Sequence, residues 1–97
     1  ALDRARADAA RATAAVRGQR ALAELEAGNE AVARQNVRVA LAQLRLGVIT
    51  PLDLRQVQLA LVDAQARRVE AVFQARLAEA ELRLLAGDLL GETRLAP

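Results

Sequence analysis

The chain has 97 residues, 54% apolar, 27% charged and 1% aromatic, with 24 Ala, 17 Leu, 14 Arg and 7 Glu, the composition of a long helix or coiled coil. One aromatic residue, Phe73, is too little for an all-β domain, and the length allows one domain. With no Cys and no His, thiolate chemistry, zinc fingers, haem attachment and an imidazole base are excluded, and a net charge of +2 with alternating signs gives no field that would steer nucleic acid.

The longest uncharged stretches, residues 46–52 and 56–62, are far short of the roughly twenty residues of a membrane-spanning helix. There is no Met, so the chain is expected to be a processed or excised piece of a larger protein.

The first expected element is one long helix over residues 1–46, without proline. Leu25, Val32, Val39 and Leu46 recur at sevens, with Val37, Leu41 and Leu44 alongside. Asn29, Asn36 and Gln43 make a polar stripe of the same period. That stripe reads either as a solvated face or as a water-lined surface. Gly18 and Gly28 each weaken a helix by roughly 1 kcal/mol against Ala. A break at Gly28-Asn29 would give a three-helix bundle, but the sevens run across it from Leu25 to Val32 and favour continuity.

The next element is a tight turn over residues 47–51. Gly47 suits the position just past a helix end, where positive φ costs glycine little. Thr50 suits an N-cap, Pro51 the first helical position, and Asp53 the third position of a capping box. Ile49 and Leu54 fall where a hydrophobic staple forms across the cap. Val48 is a large apolar residue at the tip. It either packs locally on Leu44 or Leu52, or it docks a partner together with Ile49.

The return helix is expected over residues 52–86, about 50 Å long, followed by a loop over residues 87–97, because Gly87, Gly91 and Pro97 read as stop signals. This helix carries two apolar seams. Leu54, Val57, Leu61, Ala64, Ala71, Ala75, Ala78, Leu82 and Leu85 form one, broken at Arg68. Leu59, Val62, Ala66, Val69, Phe73 and Ala80 form the other, broken at Arg76. Gln56, Asp63, Arg67, Glu70, Gln74 and Glu81 lie between them. A two-stranded coiled coil needs one seam. Two seams predict helices with two neighbours each, as in a bundle or a closed ring, and therefore self-association.

Catalytic chemistry finds no footing. Asp63 and Glu70, or Glu79 and Glu81, are carboxylate pairs without a cleft, and a di-metal bundle site needs His. Ser is absent, the glycines are dispersed, and Thr50 is accounted for by capping. No enzyme activity, cofactor or metal is expected.

The run Arg45-Leu46-Gly47-Val48-Ile49-Thr50-Pro51-Leu52-Asp53-Leu54, with Val57-Gln58, Leu61, Ala64, Ala71, Ala75, Leu82, Leu85, Gly87 and Leu89 after it, resembles the TolC-like outer-membrane efflux proteins. Their hairpins carry a G-x-(I/R)-(S/T)-x-x-D-(L/V)-L-x-A-Q tip and an Ala/Leu-rich return helix ending near a glycine. The likeness covers about residues 22–90. Arg55 departs from a common Leu, and Val57 from a common Ala.

The resemblance implies an all-α, coiled-coil-like antiparallel hairpin that forms part of an α-helical barrel. That barrel would be a trimeric periplasmic tunnel in an efflux or secretion system. The chain looks more like the second of the family's two hairpins. Membrane insertion would lie in parts of the parent outside this chain, and the tip would face a periplasmic adaptor protein. The tip of such an adaptor is itself similar, and Thr93-Arg94-Leu95-Ala96-Pro97 resembles the return of an adaptor into its lipoyl domain. An interruption at residues 86–91 argues against that alternative. A plain coiled-coil scaffold is a third reading. A lipid-surface helix is disfavoured because both faces are apolar. The transported substrate is not legible.

Overall fold

The computed structural model describes residues 2–95 as two helices, α1 (Leu2–Arg45, 44 residues) and α2 (Pro51–Leu95, 45 residues). They form an antiparallel hairpin of 77 × 15 × 14 Å, and among the described residues there is no strand. The chain is thus an all-α helical hairpin. α1 runs unbroken through Gly28.

The inner face of α2 follows the first seam. Ala64, Ala71, Ala75 and Ala78 are buried, and Leu54, Val57, Leu61, Leu82 and Leu85 are half-buried. The inner face of α1 is a different set from the sevens of Leu and Val. Ala12, Val16, Gln19, Ala23, Glu26, Glu30, Ala33, Val37, Ala40 and Leu44 repeat at alternating steps of four and three, and all are buried or half-buried. Leu25, Val32, Val39 and Leu46 face away from α2 and stay exposed. Alanine on both sides of the contact lets two helices lie close along their length, and many of the bulky residues, Leu59, Val62, Val69 and Phe73 among them, stay outside.

The expected loop over residues 87–97 is corrected by the structure, because α2 continues through Gly87 and Gly91 to Leu95. Neither glycine takes a positive φ. Half-buried Leu85 and Leu89 extend the inner seam against Ala5 and Asp8 near the start of α1. Tertiary packing of that kind offsets the roughly 1 kcal/mol that each helical glycine costs. Ala96 and Pro97 lie outside the described residues.

Candidate functional site

The tip is built by backbone chemistry that local sequence dictates. Gly47 takes φ +74°, a conformation costing other L-residues roughly 1–2 kcal/mol. The Gly47 N–H donates to the Leu44 carbonyl at 3.0 Å, and the Val48 N–H donates to the Gln43 carbonyl at 2.9 Å. This is the Schellman pairing, which satisfies two of the carbonyls stranded at a helix end. Three residues on, the Thr50 N–H donates to Asp53 Oδ2 at 2.9 Å and the Asp53 N–H donates to Thr50 Oγ1 at 3.2 Å. The reciprocal capping box is therefore present with Asp in place of the longer Glu. The Thr50 N–H, then its hydroxyl, hold the Asp53 carboxyl below its ordinary value. Pro51 opens α2.

The capping leaves apolar side chains in water. Leu46, Val48 and Leu52 are 78%, 67% and 64% exposed. Val48 is thus not enclosed by Leu44 or Leu52. Ile49 is half-buried and sits at the end of a groove of ≈ 430 Å³ shared with Asn36, Val39, Gln43 and Val57. Of the polar stripe, Asn29 and Asn36 are exposed and Gln43 is half-buried. At 100° per residue the stripe runs within about 60° of Leu25 and Val32, so it edges the outer apolar seam of α1 and is not a separate face.

A second constellation lies at mid-hairpin and was not singled out from sequence. Glu30 is buried on α1 at 7% exposure. It accepts from Arg34 of its own helix at 2.7 Å and from Arg68 across the hairpin at 2.8 Å. The break in the α2 seam at Arg68 is therefore filled by a charge that meets its counter-ion. The Arg68 hydrogen bond, followed by that of Arg34, lowers the Glu30 pKa. One turn away, Arg67 donates to Glu26 at 3.2 Å and also bonds Asp63. The Asp63 charge is the main cause of a raised Arg67 pKa. Further from the tip, Arg20 donates to Glu79 at 3.0 Å and lowers the Glu79 pKa. One signal could have found the Glu30–Arg68 pair: positions 30 and 68 are each 19 residues from Ile49.

Hydrogen-bonded ion pairs of this kind position two helices against each other. No group of three or more metal-ligating side chains comes together among the described residues, and none of their helices is long and apolar enough to cross a membrane. No family model matches the sequence, and no curated protein or solved structure is significantly similar to it.

Proposed function

We propose that the hairpin is a wall segment of the periplasmic exit duct of a tripartite efflux or secretion system, carried by a longer outer-membrane protein that associates with further copies as a trimer. Its tip docks a periplasmic adaptor. The observation that carries this reading is the distribution of apolar surface. The inner contact is alanine-rich, whereas Leu25, Val32 and Val39 on α1 and Leu59, Val62, Val69 and Phe73 on α2 are exposed on outer faces. A helix with one seam on its mate and another facing outward suits a closed ring. The tip motif of residues 45–54 and its exposed Val48 agree with docking at that end. Asn29, Asn36 and Gln43 are the candidates for contact with water in the duct.

The test is Val48→Asp in the full-length protein. It places a charge on the docking surface while sparing the cap and the inner seam, and an unpaired charge buried at an interface costs several kcal/mol. Loss of export with normal expression and assembly is expected. Full export in that variant removes the docking claim.

One observation favours a second reading, the hairpin of the adaptor itself. The break at residues 86–91 that argued against it is absent, because α2 runs unbroken to Leu95. Sequence flanking the hairpin separates the two. A lipoyl domain split around it supports the adaptor, and outer-membrane β-strands with a second hairpin support the duct.

A further inference from the structure

The charge of the hairpin is unevenly placed along its length. Residues 31–62, the third of the chain nearest the tip, carry Arg34, Arg38, Arg45 and Arg55 against a single acid, Asp53. The remaining chain is close to balance, since the total is only +2. Asp53 is held in the cap by Thr50. Arg34 is paired with Glu30. Arg38 reaches only Gln35, at 3.4 Å. Arg38, Arg45 and Arg55 make no ion pair among the described residues, and all three are exposed.

These arginines share one flank. At 100° per residue Arg34, Arg38 and Arg45 lie within about 40° of one another on α1. Arg34 is two heptads from Arg20, which meets Glu79 on α2. Glu79 is one heptad from Val72, which lines a groove with Val69, Glu30 and Arg68. Arg55 is two heptads from Val69 and so lies along that flank. The register set by the Glu30–Arg68 pair puts Arg55 level with the turn between Arg38 and Arg45. The opposite flank of residues 31–62 is the uncharged groove of Asn36, Val39, Gln43 and Gln56.

We propose that the basic flank of Arg38, Arg45 and Arg55 selects an acidic protein surface as the docking partner of the tip, with Leu46, Val48 and Leu52 as its apolar contact. This rests on the reading of the tip as a docking end and adds the charge of the partner. Unpaired cations at the rim of an apolar patch raise the association rate and discriminate against partners of like charge. A protein is favoured over an anionic lipid surface because the excess of positive charge is confined to residues 31–62, and the rest of the chain carries ten Arg against eleven acids. The outer apolar seam of α2 continues past those residues to Phe73, beside the paired Arg76 and Glu79. A flat lipid surface would engage such a flank along its whole length.

The experiment uses the full-length protein with two probes, a periplasmic adaptor from the same organism and phosphatidylglycerol vesicles. R38Q/R45Q/R55Q touches neither cap nor inner seam, so its helical melt is expected to match the parent. Its affinity for the adaptor is expected to fall about tenfold or more, with a flatter salt dependence. V48D is run beside it. Parent-like adaptor affinity in the triple variant, with loss in V48D, overturns the acidic-partner proposal and keeps the docking reading. Full affinity in both variants, or no binding of the adaptor by the unaltered protein, overturns both. Loss of vesicle binding at unchanged adaptor affinity assigns the flank to lipid and overturns the proposal.

Discussion

The inner and outer faces of this hairpin divide the apolar residues against the usual expectation. Between the helices lie Val16, Ala40, Ala64, Ala71, Ala75 and Ala78 with a buried Glu30 and half-buried Leu54, Leu61 and Leu82, while Leu25, Val32, Val39, Leu59, Val62, Val69 and Phe73 occupy the outside. Burial of large apolar groups is ordinarily what holds a fold together. Here the contact within the hairpin is alanine-rich, and many large apolar side chains are available to something else. A hairpin of this kind is a component, stabilised by the turn that joins its helices and by ion pairs across them. The difference teaches that the direction of the strongest hydrophobic signal can mark an external interface.

The largest effect should come from overfilling the inner contact. Ala71→Leu inserts three carbons where the helices touch, and it is expected to destabilise the hairpin by ~1–3 kcal/mol in denaturant melts. An unchanged melt would show that the alanine seam does not set the helix separation. Next come the turn residues. Gly47→Ala places a Cβ at positive φ and Thr50→Ala removes a capping oxygen, and each should cost about 1 kcal/mol by the same measurement. Parent-like stability in both would mean that the tip geometry is held from elsewhere.

Acid should act through the ion pairs. Glu30 and Glu79 have pKa values lowered from an ordinary 4.5 by Arg68 and Arg20 respectively. A lowered folded-state pKa gives stability that is present in full above the unfolded value and is lost as pH falls below it. Melting temperature is therefore expected to be flat above about pH 4.5 and to fall below it. The fall should be shallower in Glu30→Gln, and an equal fall in that variant would remove Glu30 as its cause.

The smallest effect on folding, and the sharpest test of the comparison, is on the outer face. Val69→Ser with Phe73→Ser should leave the stability of the hairpin within about 0.5 kcal/mol, because those side chains are already in water. Self-association followed by sedimentation should weaken. A substantial loss of hairpin stability without any change in association would reverse the assignment of inner and outer faces.

Local sequence determined the turn almost completely. Gly47, Thr50, Pro51 and Asp53 act within a few residues of one another, so backbone chemistry alone places them. The inner seam of α2 was equally legible, since its Ala and Leu residues keep a 3–4 spacing. What mates with that seam was not legible on α1. Its contacting residues include Gln19, Glu26 and Glu30, which carry no hydrophobic signal, while the louder Leu25, Val32 and Val39 point outward. Only the register of two helices brings Arg68 to Glu30 and makes a charge tolerable in the contact. The same holds for the end of α2. Gly87 and Gly91 are stop signals to a reader of single positions, and Leu85 and Leu89 override them by packing near the start of α1. Capping and periodicity are properties of one segment. Partner choice and helix length depend on what the other helix presents across the hairpin.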